Sequence, residues 1–326
     1  MRNCMVKSLI YTLLCISSIS SSAQSINNAE LTSQKTDIVY KNGKLYKNIS
    51  FEISILNREG EKYTRVSIPY SRLRKVSKVE AFLKDRDGKI IRALQKGDVT
   101  ERSAISDGSL YEDFFVKEFT LRHNSYPYSI SYSYLVQEDE FLQIINWIPV
   151  IDIGIPTREA LLSVEVPHDY KIRFMSQYCD DLSVDSAGSV VKYNWKTSFS
   201  DLLKPEYFAP PVTLFLPSVM IVPEVFNYNL TGSFKSWSAY GDWHYNLLEG
   251  LSDLSSYEKN NILLIISGVS DTREKIRKLY NYLQDNTRYI STLQSKQVAL
   301  SHIRHLMFQK TNTVIVRLYP TILKLF

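Results

Sequence analysis

The acidic residues of this chain stop well before its end. From Asn286 to Phe326 there is no Asp or Glu, although the whole chain carries 34 of them in 326 residues. At that average, about four acids would be expected in a stretch of this length. The absence excludes carboxylate chemistry from residues 292–326 and indicates that this tail differs in origin from the rest of the chain.

The first 23 residues have the three parts of a secretory signal peptide. Arg2 and Lys7 form its positive start, Leu9–Ile16 its apolar core, and Ser21-Ser22-Ala23 a small-residue cleavage site. The core is too short to cross a bilayer as a stable anchor. We therefore expect cleavage after residue 23 and export to the periplasm or cell envelope, with no transmembrane anchor left.

Cysteine is nearly absent from the expected mature chain. Cleavage would remove Cys4 and Cys15 and leave Cys179 alone, which excludes an internal disulfide. Lipid attachment at Cys15 is a weaker alternative, because Leu14 stands where a lipobox needs a small residue. Cys179 lies in the acidic segment Gln177–Asp181, which disfavours a reactive thiolate. We do not expect a catalytic nucleophile there.

The formal charge gives no support for nucleic-acid binding. The chain carries +5 with a pI of 8.8, but two basic residues belong to the signal peptide and five to the acid-free tail. Removing these seven from the total of 39 leaves 32 basic against 34 acidic residues, a net charge of −2 for residues 24–290. We expect no nucleic-acid partner, because such binding depends on a strongly basic surface.

Residues 24–203 show the period-two alternation of β-strands. Tyr46–Leu56 alternates apolar and polar residues, and Tyr126–Val136 alternates Tyr and Ile with Ser. Asp85–Gly88 is a turn signal between two strand-like segments. Further strands are predicted for Leu161–Val166, Lys171–Phe174 and Gly188–Trp195. Repeated short strands predict a mainly β fold, with an antiparallel, β-sandwich-like N-terminal domain.

A proline-rich segment follows this domain. Its five prolines are Pro205, Pro210, Pro211, Pro217 and Pro223. Because proline interrupts helices and central strands, residues 204–234 are predicted to form an extended connector without regular elements.

Helical patterns begin at residue 235. Ser236–Leu248 places aromatic and apolar residues on one face, and that spacing is typical of a helix packed against a core. A second helix is predicted for Asp271–Arg288, with Asp271 as N-cap and Glu274 as its capping-box partner. Its apolar stripe consists of Ile276, Leu279, Tyr280 and Leu283.

Several short motifs, taken in order, carry a resemblance. They are Tyr70-Ser71, Gly88-Lys89, Ser109–Asp113, Tyr126-Pro127-Tyr128, Tyr132 and Trp147-Ile148-Pro149. They resemble an exported bacterial domain of unknown function that precedes a transglutaminase-like domain. The segments around Pro210-Pro211, Leu216–Ser218, Trp237 and Trp243 are similar to the connector between the two domains.

The resemblance continues into the helical part and then ends. Lys278–Leu283 with Asn286–Ser291 is similar to the first helix of a transglutaminase-like core, a papain-type cysteine enzyme fold. The family then has a Tyr-Gly-Asp-Cys-Lys motif carrying the nucleophile, with a His and an Asp further on. Ser295–Phe326 contains no cysteine, glycine or acid. We therefore expect no catalytic, cofactor-binding or metal-binding residues in residues 235–291 or in the tail.

A frameshift near Gln294–Gln297 accounts for this departure. In the shifted frame, each new codon consists of the third base of one original codon and the first two bases of the next. With suitable synonymous codons, this frame from Gln297 onward encodes Gly-Gly-Phe-Lys-Pro-Tyr-Pro and later Tyr-Gly-Asp-Cys-Lys. Met307-Phe308 forces a Val, and Asn312-Thr313 permits only Tyr or His at the tyrosine of the motif. Ile315-Val316 allows Cys, Ser or Arg at the nucleophile. The tail is therefore interpreted as out-of-frame sequence.

This origin weakens the candidate sites in the tail. His302 and His305 have the spacing of two metal ligands on one helix face, but no carboxylate or thiolate accompanies them. Leu318–Phe326 is apolar and basic, as in membrane-contacting segments. Out-of-frame sequence explains both without a function.

The remaining candidates have no matched partners. Asp107, Glu112 and Asp113 form an acidic loop, but their spacing is not that of a calcium-binding loop. His123 and His168 lie beside turn residues, as surface histidines commonly do. We expect neither a metal nor a cofactor.

The sequence thus predicts an exported, non-catalytic remnant of a transglutaminase-like protein. Its N-terminal β domain is expected to be a binding or accessory module, with exposed tyrosines and edge strands that suit a protein or glycan at the cell envelope. The alternative is an active transglutaminase-like enzyme or cysteine peptidase acting on peptide amide bonds, once the intact frame is restored.

Overall fold

A computed structural model of the chain describes residues 27–104, 109–112, 114–179, 181–204, 206–248, 255–286 and 291–293. The predicted signal peptide and the tail from residue 294 lie outside this range. The fold is mainly β. Its strands are β1 (Ala29–Lys41), β2 (Lys44–Ile55), β3 (Arg65–Ser71), β4 (Arg74–Lys84), β5 (Ile90–Ala93), β6 (Thr100–Ser103), β7 (Ser109–Glu112), β8 (Phe114–Thr120), β9 (Tyr128–Glu138), β10 (Ile145–Trp147), β11 (Thr157–Pro167), β12 (Ile172–Gln177), β13 (Asp181–Ala187), β14 (Val190–Phe199), β15 (Ser218–Pro223), β16 (Val225–Tyr228), β17 (Leu230–Ser233) and β18 (Ser291–Leu293).

In the described residues, three α-helices lie between β17 and β18. They are α1 (Trp237–Leu248), α2 (Ser256–Ile265) and α3 (Thr272–Asn286). Short 3₁₀ segments occupy Arg58–Thr64, Lys96–Asp98 and Val212–Phe215.

The largest sheet has eight strands, in the order β13-β14-β11-β1-β2-β9-β4-β5. Neighbouring strands are antiparallel except β1 and β11, which run parallel with Lys35 opposite Leu161. The prediction of an antiparallel sandwich did not include this pair. It joins segments more than a hundred residues apart, and local alternation carries no information on such pairing.

Two small sheets cover one face of the large sheet. In β2 the buried residues all lie at odd positions, so Leu45, Ile53 and Ile55 face the same side. Ile53 belongs to a hydrophobic cluster with Val66 and Phe119 of the sheet β3-β8-β6.

The other half of that face is covered in the same way. Leu162 and Trp195 of the large sheet cluster with Val219 and Ile221, which lie on the central strand of the sheet β10-β15-β12. The result is two adjoining β-sandwich halves on one large sheet.

The Pro-rich segment differs from its prediction. Residues 218–223 form β15, which pairs with both β10 and β12, and Val219 and Ile221 are fully buried. Prolines did not exclude a strand, because Pro217 and Pro223 stand at its ends, where they do not break the middle of the ladder. β16 and β17 form a hairpin in the same region.

The helices have small cores of their own. Trp243 of α1 packs edge-on against Phe226 of β16, with ring centroids 5.1 Å apart. The helix predicted for Asp271–Arg288 spans Thr272–Asn286, and Asp271 accepts a hydrogen bond from the backbone N–H of Glu274 at 2.9 Å. The carboxylate of Glu274 pairs with Arg277. Leu279 of α3 packs against Ile262 of α2.

Candidate binding face

The eight-stranded sheet has a covered face and an open face. Ile49 and Ile53 of β2 face the small sheets, so Ser50 and Glu52 between them face the opposite way. β9 places Ser133 directly opposite Ser50. The open face therefore carries a cluster of serines on its central strands, with the aromatic side chain of Phe82 opposite Ser131.

Short side chains leave a shallow depression of about 250 Å³ in the middle of this face. Ser50, Ser131 and Ser133 line it, with Lys35 and Glu80 beside them. Hydroxyl groups both donate and accept hydrogen bonds, so the depression offers groups of both kinds with charged side chains among them.

A second depression, of about 480 Å³, lies on the same face toward β13. The register places Asp37, Ser163, Asn194 and Ser183 in one row across β1, β11, β14 and β13. The side-chain amide of Asn194 donates to Ser183 Oγ at 3.4 Å and to Asp185 Oδ2 at 3.1 Å. This row is again rich in small polar groups.

Two ion pairs lie on the open face. Lys84 Nζ donates to Glu52 Oε1 at 2.8 Å, and Lys196 Nζ lies 2.7 Å from Glu159 Oε1. The hydrogen bond between Lys196 and Glu159 raises the pKa of the lysine and lowers the pKa of the carboxyl. At neutral pH these groups carry both signs of charge, and the face has no single-sign field to attract a polyanion.

The tyrosines of β9 do not lie on this face. Tyr128 is 2% exposed, and Tyr132 and Tyr134 pack partly buried against the hydrophobic core. Burial raises the pKa of Tyr132 and of Tyr134. The sequence prediction of exposed tyrosines is wrong for this strand, because its apolar and aromatic side chains point toward the small sheets and its serines point outward. Exposed tyrosines occur elsewhere, at Tyr178 and Tyr207.

Cys179 is part of the core. It is 2% exposed and belongs to the cluster that contains Trp147 and Trp195. A substrate carbonyl cannot reach a thiol in this position.

The other candidates remain scattered. His123 makes an edge contact with the ring of Tyr128 at 5.9 Å, and exposed His168 donates its backbone N–H to Ser189. Glu112 lies in β7, while Asp107 and Asp113 are outside the described residues, as are His302 and His305. Within the residues that the structure describes, no three His, Cys, Asp or Glu side chains are grouped to hold a metal ion.

None of the helices in the described part of the chain has both the length and the hydropathy needed to cross a membrane.

A family model for a domain of unknown function with a solved structure, DUF3857, matches residues 41–206. The chain belongs to this family. The match confirms the predicted resemblance for the β-rich part. It ends before the helices, so the transglutaminase-like origin of residues 235–291 stays a prediction. No curated protein matches the chain in sequence.

Solved structures share the fold. A "putative protease" from Parabacteroides distasonis ATCC 8503 superposes with a TM-score of 0.63 at 14% identity, covering 82% of this chain and 52% of that one. This chain therefore spans about half the length of that protein, and the likeness concerns the fold alone. Legionella pneumophila aminopeptidase A gives a TM-score of 0.31 at 10% identity, covering 61% of this chain and 22% of that one. That likeness is too distant to carry an argument.

Proposed function

We propose that this chain is an exported, non-catalytic protein whose β-rich domain is a binding module for a hydroxyl-rich polymer, a glycan of the cell envelope. The open face of the eight-stranded sheet is the proposed binding surface. The observation that carries the proposal is its cluster of half-buried serines at the first of two depressions, both of which are lined by polar and apolar side chains together.

A sheet face that is only solvated usually carries long charged side chains. Here Ser50, Ser131 and Ser133 occupy adjacent positions on two central strands, and Glu80 and Lys35 stand beside them. Small hydroxyls between charged side chains give donors and acceptors at short range, which suits a ligand recognised by many hydrogen bonds.

The binding test uses the full mature chain and insoluble cell-envelope glycan in a sedimentation assay. Ser133→Trp would fill the first depression and is expected to weaken binding roughly tenfold, about 1.4 kcal/mol. Ser103→Trp, on an exposed strand of another sheet, is the matched control and should bind like the parent. Equal binding by both variants, with unchanged thermal unfolding, would refute the open face as the site.

The non-catalytic assignment rests on the burial of Cys179 and has its own test. A thiol-directed alkylating probe should leave Cys179 unmodified in the native protein and modify it in denaturant. Rapid modification under native conditions would contradict the assignment.

We further propose that a shifted reading frame near Gln294–Gln297 separates this chain from a transglutaminase-like parent acting on peptide amide bonds. The exposed apolar side chains of α2 and α3 support it, since Leu263 and Leu264 are 61% and 73% exposed and Ile276 is 40% exposed. Helices in a complete core would cover such residues. The nucleotide sequence of the gene decides the question: restoring one frame must yield the Cys motif with a His and an Asp downstream, and its absence would end the proposal.

A further inference from the structure

Among the residues that the structure describes, β13 is an edge strand of the eight-stranded sheet. It pairs with β14 along its whole length, from Asp181 opposite Lys196 to Ala187 opposite Val190. It stands first in the strand order, and its seven residues are all exposed. Its outer row of backbone N–H and C=O groups is therefore available to another strand.

Natural edge strands are usually protected by shortness, by lysine or proline, or by a bulge. The opposite edge of the same sheet, β5, follows this rule. It has four residues, its pairing with β4 is irregular at Lys84, and Lys89 and Arg92 flank its exposed isoleucines. β13 is longer, pairs without a register shift and contains neither lysine nor proline, and its two charged residues, Asp181 and Asp185, both point to the open side.

The two sides of β13 differ in chemistry. Leu182 and Val184 point to the covered side, opposite Trp195 and Tyr193, yet they remain 37% and 51% exposed. Asp185 points to the open side, opposite Lys192. An added strand would therefore meet apolar side chains on one side and carboxylates on the other.

The sandwich is open beside this edge. β12 is the outer strand of the sheet β10-β15-β12 and leads directly into β13. Phe174 of β12 contacts the rings of Tyr193 and Trp195, with centroids 6.2 and 5.3 Å away, and is still 41% exposed. Partly exposed apolar side chains from both sheets therefore lie beside β13.

We propose that β13 takes up an extended peptide segment of a partner protein as a ninth strand, with apolar and basic residues alternating along that segment. The added backbone would complete the ladder. Its apolar side chains would cover Leu182, Val184 and Phe174, and its basic side chains would lie beside Asp181 and Asp185.

Charge argues against a second copy as the occupant. Pairing β13 with β13 of another copy would bring the aspartates of both strands onto one face without a cation from either strand. Lys196 and Lys192 of β14 stand opposite Asp181 and Asp185 on the inner side, and a basic and apolar segment would place cations on the outer side as well, where a second copy would place carboxylates.

The test is a fluorescence-anisotropy titration of the full mature chain with a labelled peptide of alternating Val and Lys. We expect saturable binding, and roughly tenfold weaker binding of a peptide with the same composition in blocks. Val184→Lys places a charge on the exposed edge and should weaken binding by a similar factor. Ile91→Lys, at the exposed edge strand β5, is the matched control and should not.

A charge-reversal variant distinguishes strand pairing at β13 from non-specific adsorption of the peptide. Asp185→Lys should reduce binding of the Val/Lys peptide and increase binding of the corresponding Val/Glu peptide. Equal affinity for alternating and blocked peptides, or equal loss with Ile91→Lys, would overturn the proposal. Sedimentation velocity of the chain without peptide tests whether a second copy occupies the edge. A dimer that Val184→Lys abolishes would show that β13 pairs with another copy and would refute the proposal of a peptide partner. Thermal unfolding of each variant controls for folding.

Discussion

Gly60 lies where two backbone segments approach too closely for any side chain. A Cβ added there would stand 2.1 Å from the carbonyl oxygen of Asn28. Because this oxygen belongs to the backbone and accepts a hydrogen bond from Leu56, it cannot move aside without cost. The close approach ties the 3₁₀ segment Arg58–Thr64 to the start of β1.

Gly60→Ala is therefore expected to lower the free energy of unfolding by about 1–3 kcal/mol, the usual cost of overpacking. Gly97→Ala is the control, because a Cβ at Gly97 meets nothing within 4 Å. Urea denaturation followed by far-UV circular dichroism measures both. Similar midpoints for the two variants would contradict the predicted clash.

Glu118 is the strongest ion-pairing carboxylate of the small sheet β3-β8-β6. It accepts hydrogen bonds from Arg102 at 2.9 Å, Arg65 at 3.1 Å and Ser67 at 2.9 Å. These hydrogen bonds lower its pKa from 4.5 to about 2. Because the carboxylate form is favoured in the folded state, its contribution to stability is present above pH 4.5 and is lost as the pH falls through about 2.

Glu118→Gln should accordingly destabilise the protein at pH 7, and the difference from the parent should shrink as the pH falls from 4.5 toward 2. Urea titrations at a series of pH values give this difference directly. Glu206→Gln, at an exposed position of the Pro-rich segment, controls for the change of charge. A difference that stays constant across this range would show that the pairing is not responsible.

At the scale of elements, α1 packs closely against the β16–β17 hairpin at Gly232. A Cβ on Gly232 of β17 would lie 2.5 Å from the ring of Phe226 and 2.6 Å from the indole of Trp243. The absence of a side chain at Gly232 therefore lets the helix pack onto the β16–β17 hairpin.

Gly232→Ala should separate α1 from this hairpin and expose Trp243, which is 6% exposed in the native fold. The expected signal is a red-shifted, more readily quenched tryptophan fluorescence. Gly241→Ala in the same helix meets nothing within 4 Å and should stabilise the helix by about 0.5–1 kcal/mol. Unchanged fluorescence in Gly232→Ala would contradict this packing.

Local patterns predicted many of the elements well. The strand predicted for Tyr46–Leu56 is β2, Lys44–Ile55, and the turn Asp85–Gly88 joins β4 to β5. Alternation in β9 also separated its serines from its tyrosines. Alternation of Ile and Tyr with Ser favours burial of the Ile and Tyr side, but which strands extend the serine row depends on pairing with distant segments. The candidate binding face was missed for that reason.

At the scale of the whole molecule, the β-rich unit extends beyond the predicted boundary at residue 203. β15 supplies Val219 and Ile221 to the second hydrophobic cluster. Burying two such side chains contributes about 1.5–3 kcal/mol each. That sum is large beside the total of about 5–15 kcal/mol typical of a domain.

A fragment of residues 24–203 is therefore expected to be molten or insoluble, whereas residues 24–234 should fold cooperatively. Thermal unfolding followed by near-UV circular dichroism distinguishes the two. A sharp transition in the shorter fragment would show that β15 is dispensable.

The sequence by itself determined the mainly β class of fold, the position of several strands and of two of the described helices, and, through the ordered Tyr, Trp and Pro motifs, the resemblance to a domain of unknown function. These properties depend on residues close together in the chain, where side-chain periodicity acts directly. Only the tertiary structure decided that β1 pairs in parallel with β11, that β15 completes a core, and which face of the large sheet stays open. Those outcomes depend on contacts between segments that are distant in the chain. Such contacts stabilise the protein only after the whole sheet has assembled.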